Sequence, residues 1–286
     1  MTTEEQDEAH SLIDRALRED VGDGDITTEW TIPPDACATA RFIAKQPGVA
    51  AGLEMAGMVF ERLDPRVRMT QTMRDGDRVE IGQILAEVSG PARAILSGER
   101  TALNIVRHLS GVATLTRRYV EAVAGTGTAI LDTRKTTPGM RRLEKAAVRA
   151  GGGVNHRVGL FDMVLIKDNH IAAAGGITQA IMRCRERIKP DEPVKIEVET
   201  ATLEQVREAV SLPIDRIMLD NMPLDLMRRA VEIVHSDGSA RRIELEASGA
   251  ITLERVRDVA ETGVDMISVG ALTHSAPALD ISLDIT

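Results

Sequence analysis

The chain has 286 residues, 43% hydrophobic and 28% charged, which is long enough for one large α/β barrel or a barrel with a smaller companion domain; two domains are expected. A net charge of -9 and only 2% aromatic residues argue against a basic groove or stacking platform for nucleic acid, so small metabolites are the expected ligands. Cys37 and Cys184 form no CxxC pair, residues 1–10 are acidic and polar, and no run of 18 apolar residues occurs, so the expectation is a cytoplasmic protein with no disulfide framework, zinc ribbon, secretory signal or membrane span.

In residues 4–18, Ala9, Leu12, Ile13 and Leu17 recur at helical spacing, and the helix should stop before the turn Val21-Gly22-Asp23-Gly24-Asp25. Strand-like segments follow at Ala38–Ala44, Arg66–Met73 and Arg78–Val88, with Asp75-Gly76-Asp77 as a turn, and read as a small, mostly antiparallel sheet with helices. From Ala92 to about Gly125 the pattern is helical, with a break expected near Ser110-Gly111. After Gly125 short β-like runs appear at Ala129–Asp132, Met163–Ile166, Val194–Val198, Arg216–Leu219, Arg242–Leu245 and Met266–Val269. Amphipathic helical stretches at Thr178–Ile188, Leu203–Val210, Leu224–Val234 and Leu253–Glu261 separate the later ones, which is the rhythm of parallel βα units closing as a barrel.

Parallel α/β folds place their chemistry at the carboxyl ends of strands. Those positions carry Asp132, Thr133, Arg134 and Lys135, then Lys167, Asp168 and Asn169, then Glu197 and Glu199, Asp220 and Asn221, Glu246 and Ser248, and Gly270. Between Asp132 and His170, eight basic residues face four acidic ones in an otherwise acidic chain. Arg141, Arg142, Lys145 and Arg149 read as the solvated face of a helix, whereas Arg134, Lys135, Arg157 and Lys167 sit at strand ends or near Gly151-Gly152-Gly153 and suit an anion. Arg grips planar carboxylates through paired donors and Lys supplies a point charge, so the mixture fits a ligand bearing carboxylates and phosphates. Glu197 and Asp220 can hold ribose hydroxyls and Mg²⁺, or serve as salt-bridge partners inside the barrel. Small residues at Ser248-Gly249-Ala250 and Val269-Gly270-Ala271, with His274, fit backbone binding of a phosphate, although glycines after strands also serve as plain turns. No HExxH pair is present; His156 is read as a ligand contact, His170 either way, His108 as an interhelical histidine, and His10 and His235 as surface residues.

The block from Leu131-Asp132-Thr133-Arg134-Lys135-Thr136-Thr137-Pro138-Gly139 through Gly151-Gly152-Gly153-Val154-Asn155-His156-Arg157 to Leu165-Ile166-Lys167-Asp168-Asn169-His170 resembles the quinolinate phosphoribosyltransferase family. Gly98-Glu99-Arg100-Thr101-Ala102-Leu103-Asn104, His108-Leu109-Ser110-Gly111, Leu219-Asp220-Asn221 and Ser268-Val269-Gly270-Ala271-Leu272-Thr273-His274 extend the resemblance over nearly the whole chain. It implies an N-terminal α/β sandwich over residues 1–111 and a C-terminal, incompletely closed parallel α/β barrel over 112–286, with the C-terminal tail returning to the N-terminal domain. It further implies a homodimer, or a hexamer built from dimers, in which Arg100 enters the neighbouring site. Thr133, Arg134, Lys135, His156, Arg157 and Lys167 match the family's substrate-binding positions, Glu197 and Asp220 are aligned with its acidic pair, and Ser248, Gly249, Gly270 and His274 with its phosphate-binding end. Ala250 stands where the family often has glycine, and Ala146 where an aromatic is common.

The reaction so implied joins quinolinate to phosphoribosyl pyrophosphate and releases CO₂, giving nicotinate mononucleotide for NAD biosynthesis. Mg²⁺ enters with the phosphoribosyl donor, and no organic cofactor is expected. Lys135, Lys167, Glu197 and Asp220 are the expected catalytic residues. A nicotinate phosphoribosyltransferase is the near alternative. A lipoyl-type carrier, suggested by Asp75–Leu85, lacks a lysine at a hairpin tip and leaves the polar strand ends unexplained.

Overall fold

The computed structural model describes residues 1–189, 191, 193–236 and 242–286. It divides into two compact units, one of Met1–Arg117, Lys135–Gly153 and Ala271–Thr286, the other of Arg118–Arg134 and Val154–Gly270. The chain opens with α1 (Thr3–Asp20), α2 (Ile26–Thr31), β1 (Cys37–Ala44), β2 (Gly48–Val49) and α3 (Leu53–Leu63). Next come β3 (Arg68–Gln71), β4 (Arg78–Val79), β5 (Ile84–Pro91) and α4 (Ala92–Ala122). Then follow β6 (Ala129–Leu131), α5 (Arg141–Ala150), β7 (Val164–Ile166), α6 (Asp168–Ala174) and α7 (Ile177–Arg185). The remainder is β8 (Ile196–Thr200), α8 (Leu203–Val210), β9 (Arg216–Asp220), α9 (Leu224–Ser236), β10 (Glu244–Ser248), α10 (Val256–Ala260), β11 (Met266–Ser268), α11 (Ala271–His274) and β12 (Ile281–Ile285).

In the first unit an antiparallel sheet runs in the order β12-β1-β5-β3. Alternate residues Ala40, Phe42 and Ala44 of β1 are buried, as the period of a strand requires, and the Phe42 ring meets Phe60 of α3 edge-on at 6.2 Å. Helix α1 starts on a capping box in which the Thr2 hydroxyl accepts the Glu5 N–H and the Glu5 carboxylate accepts the Thr2 N–H, and it buries Ala9, Ile13 and Leu17.

Three expectations are corrected in this unit. Arg78–Val88 is two strands: Arg78–Val79 pairs with β2 in a separate ribbon, and Gly82, at φ +82°, turns the chain before β5. Helix α4 runs unbroken through Ser110-Gly111 for 31 residues. The Ser110 hydroxyl accepts the Ala51 N–H at 2.9 Å and donates to the Ala51 carbonyl at 3.1 Å, and a Cβ on Gly111 would lie 2.2 Å from the Pro277 carbonyl oxygen, so both residues serve packing. Helix α5 is a solvated face only in part: Arg149 is exposed although it pairs with Glu5 of α1, Arg141 and Arg142 are half-buried with Glu8 accepting the Arg142 backbone N–H, and Lys145 is 1% exposed.

The second unit is built on a parallel six-stranded sheet in the order β6-β11-β10-β9-β8-β7. Its terminal strands β6 and β7 do not pair, so the α/β barrel is incompletely closed. Between strands, α8 buries Leu203, Val206 and Ala209 behind a Thr202–Gln205 capping box. The register sets Leu165 beside Glu197, Glu197 beside Arg216, and Arg216 beside Glu244, then Glu199 beside Met218 and Met218 beside Glu246. Because side chains alternate along a strand, Glu197 and Glu199 share one face, with Glu199 nearer the carboxyl end.

Candidate active site

The carboxyl ends of β6, β7, β8 and β9 carry the charged residues expected there. Thr133 and Arg134 follow β6 and are half-buried; Lys167 follows β7 and is exposed. His156 and Arg157 lie on the segment after Val154, which bridges to Leu131 of β6. The buried Asp132 carboxylate accepts the His156 backbone N–H at 2.9 Å and the Asn155 side-chain amide, fixing this segment to the strand end. Arg157 donates through Nη1 to the Met163 carbonyl at 3.1 Å. Burial and the neighbouring Arg134 guanidinium both push the Arg157 pKa below its ordinary value. Two adjacent guanidiniums in a partly buried place fit a multivalent anion.

The acids divide into two levels. Glu199 and Asp220 are half-buried, and Lys167 Nζ stands 3.7 Å from Glu199 Oε2. Burial raises the Glu199 pKa, the Asp220 charge raises it further, and Lys167 opposes both. Glu197, expected at the mouth, is fully buried two residues nearer the start of β8. Its Oε2 lies 3.1 Å from His156 Nε2 and 3.9 Å from Arg216 Nη1. Glu246 is equally buried: its Oε2 accepts from Arg216 Nη1 at 3.0 Å and lies 3.4 Å from His156 Nε2. Arg216 also grips Glu244 through Nε and Nη2 at 3.3 and 3.1 Å.

Burial pushes the Glu197 carboxyl up to about 7 against the pull of Arg216. Burial and then the Glu197 charge do the same to Glu246, again to about 7, with His156 opposing. Both Glu197 oxygens and Glu246 Oε1 accept no hydrogen bond from the described residues, and one proton on the pair removes the repulsion between them. His156, Glu197 and Glu246 present donor atoms within 4.8 Å of one another. A metal is a poor fit there, because the Arg216 guanidinium already supplies the cation.

The phosphate-compatible end holds together within this unit. The Asn221 backbone N–H donates to the Ser248 carbonyl at 2.9 Å. Gly249 has φ +103°, and a Cβ there would lie 2.1 Å from Asn221 Oδ1, so this position requires glycine. Ala250 adopts φ +46°, the left-handed region in which the family's usual glycine costs less. The Val269 N–H donates to the Leu131 carbonyl at 2.9 Å, and Gly270 ends the unit.

Arg100, Lys135, Ala271 and His274 belong to the other unit. There Arg100 is exposed on α4, the Lys135 carbonyl accepts the Thr273 hydroxyl at 2.8 Å, and His274 Nδ1 lies 2.6 Å from Ser275 Oγ. His108 is interhelical, with Nε2 2.8 Å from Glu144 Oε1 between α4 and α5. Exposed His170 accepts the Lys167 backbone N–H at 3.0 Å and so caps α6. The sequence marks Glu199 and Glu246 as strand-end acids without giving either a role, and gives none to Arg216. The two-residue period of β8 was the available signal for Glu199, since the acid nearer the carboxyl end reaches the mouth.

An open α/β barrel with cations and acids at its strand ends defines a class of enzymes acting on polyanionic small molecules. The quinolinate phosphoribosyl transferase N-terminal domain matches residues 25–110 and the C-terminal domain of the same family residues 112–284. A Bacillus subtilis protein named probable nicotinate-nucleotide pyrophosphorylase (carboxylating) is 46% identical over 275 residues, covering 96% of this chain and 92% of its own. An Arabidopsis thaliana chloroplastic nicotinate-nucleotide pyrophosphorylase (carboxylating) is 46% identical over 292 residues, covering 96% of this chain and 82% of its own. The crystal structure of NadC from Streptococcus pyogenes superposes with a TM-score of 0.91 at 39% identity, covering 97% of this chain and 96% of that one. The chain belongs to the quinolinate phosphoribosyltransferase family.

Proposed function

We infer that this chain transfers the phosphoribosyl group of phosphoribosyl pyrophosphate to quinolinate with loss of CO₂, forming nicotinate mononucleotide in NAD biosynthesis. Beside family membership, the observation that carries the site assignment is Arg157, half-buried on the segment that Asp132 pins to the end of β6, with the Arg134 charge near enough to oppose its own. Quinolinate is a dianion, and the second substrate is more highly charged still.

The quinolinate ring nitrogen attacks C1 of the ribose as pyrophosphate leaves, so positive charge develops at C1. Arg134, Arg157 and Lys167 hold the anions, and Glu199 and Asp220 face the developing charge. After the nitrogen is alkylated, the C2–carboxylate bond breaks, the electron pair stays at C2 beside the positive nitrogen, and C2 takes a proton. Ser248, Gly249, Ala250, Val269 and Gly270 receive the 5′-phosphate. Lys135, Ala271 and His274 are carried by the family resemblance alone.

Glu199 and Asp220 would hold Mg²⁺ with the pyrophosphate, since two neighbouring carboxylates at a strand end suit a hard cation that keeps several waters. The ion supplies charge neutralisation of the leaving group. Glu197 does not fit that role, because it is buried against Arg216 and His156. Among the described residues no helix is long and apolar enough to cross a membrane. The net charge of -9 suits an enzyme without a nucleic-acid partner, and the cytoplasm is its proposed compartment. The working assembly is a homodimer, alone or within a hexamer, in which Arg100 of the partner subunit completes each site.

Purified protein given quinolinate, phosphoribosyl pyrophosphate and Mg²⁺ should form nicotinate mononucleotide, and nicotinate in place of quinolinate should not. Equal turnover of nicotinate would favour the monocarboxylate alternative.

A further inference from the structure

We propose that Glu246, clamped by Arg216, is a positioning residue that fixes the His156 ring and through it aims Arg157 at the quinolinate carboxylates. Glu246 is fully buried, so it acts through its neighbours. The chain of contacts is continuous. Arg216 Nη1 donates to Glu246 Oε2 at 3.0 Å; that oxygen lies 3.4 Å, and Glu197 Oε2 3.1 Å, from His156 Nε2, electrostatic contacts whose angles fall short of a hydrogen bond. On the other side of the ring, His156 Nδ1 accepts the backbone N–H of Arg157 at 2.7 Å. A nitrogen that accepts carries no proton, so the ring proton sits on Nε2 and faces the two carboxyls.

This arrangement determines the start of the Arg157 backbone. A ring turned over would present its Cδ2–H, and the other tautomer an Nδ1–H, to the Arg157 N–H, and in either case this hydrogen bond is lost and the segment would have to move. The Asp132 carboxylate and the Met163 carbonyl hold the remaining ends, at His156 N–H and Arg157 Nη1. Arg216 has the fork geometry to grip Glu244 and Glu246 at once, which keeps Glu246 from turning away from the histidine. The result is a buried support separated from the substrate by two residues, acting on the pyridine-binding cation and leaving the phosphate-binding end alone.

The inference rests on the reaction proposed above, and its test separates the two. Glu246→Gln keeps the shape and removes the charge. Parent turnover of quinolinate checks the reaction itself. In the variant, KM for quinolinate should rise about tenfold, the lower range for partners that orient a binding group, while KM for phosphoribosyl pyrophosphate stays within about twofold. Long-range ¹H–¹⁵N spectra of histidine-labelled protein, recorded without substrate, should show His156 as the Nε2–H tautomer in the parent and a mixture in the variant. Arg216→Lys, which keeps the charge and loses the fork, should shift both readouts in the same direction and serves if the first variant does not fold. An unchanged quinolinate KM, equal rises in both KM values, or an unchanged His156 tautomer would overturn the proposal.

Discussion

Glu197→Gln should make stability less dependent on pH. In the parent, burial raises the Glu197 carboxyl from its ordinary 4.5 to about 7, so the folded protein binds a proton between those limits that the unfolded chain has released. Stability from this source is complete below about 4.5 and is lost as pH rises through about 7. At about 1.4 kcal/mol per pK unit the displacement amounts to roughly 3 kcal/mol, part of it shared with Glu246, whose carboxyl the Glu197 charge raises. Glutamine is neutral throughout and removes one member of the pair. Loss of the His156 contact adds an offset that is nearly constant, so the informative quantity is the difference between variant and parent as pH changes. Urea unfolding at pH 5, 6, 7 and 8 measures it. The difference should move in favour of the variant by up to roughly 3 kcal/mol between pH 5 and 8. Parallel pH profiles would refute the argument, because they would mean that Glu197 is ionised at all these pH values in the folded protein.

Further outcomes follow from the same geometry. Arg157→Ala should lower kcat/KM for quinolinate by about 2–4 kcal/mol in transition-state stabilisation, and a variant within about twofold of the parent would place Arg157 outside the anion site. Gly249→Ala should raise KM for phosphoribosyl pyrophosphate and leave that for quinolinate nearly unchanged, since the added Cβ drives into Asn221. Gly111→Val should cost about 1–3 kcal/mol by overpacking against Pro277, visible as a lower Tm. Arg100→Ala and Arg157→Ala should each be nearly inactive, yet an unfolded and refolded equal mixture should regain about a quarter of parental activity if the sites are shared across a two-fold axis. No recovery, with mixed dimers confirmed by mass spectrometry, would remove Arg100 from a neighbour's site.

The alternation of apolar strands with amphipathic helices after Gly125 was enough to read a parallel α/β barrel and to place Arg134, Arg157, Lys167 and Asp220 near strand ends, whereas its incomplete closure came from the family resemblance alone. Local pattern failed where tertiary contacts decide. Ser110-Gly111 resembles a helix break until Ala51 and Pro277 are seen packed against it. Lys145 has the spacing of a solvated residue but is buried within its unit. The choice of Glu197 over Glu199 treated a strand as a point. One step of the strand period separates a carboxyl beside Lys167 from one sealed against His156 and Arg216. Glu246, though marked as a strand-end acid, and Arg216 were given no role because a buried ion pair across neighbouring strands leaves no signature in either strand alone.

The most direct test of the assignment is a single reaction with quinolinate labelled at its 2-carboxylate, phosphoribosyl pyrophosphate and Mg²⁺. The label should leave as CO₂ in step with nicotinate mononucleotide and pyrophosphate, and the Arg157→Ala variant should lose all three together. Phosphoribosylated product that retains the label, or no product with quinolinate while nicotinate is consumed, would contradict the account.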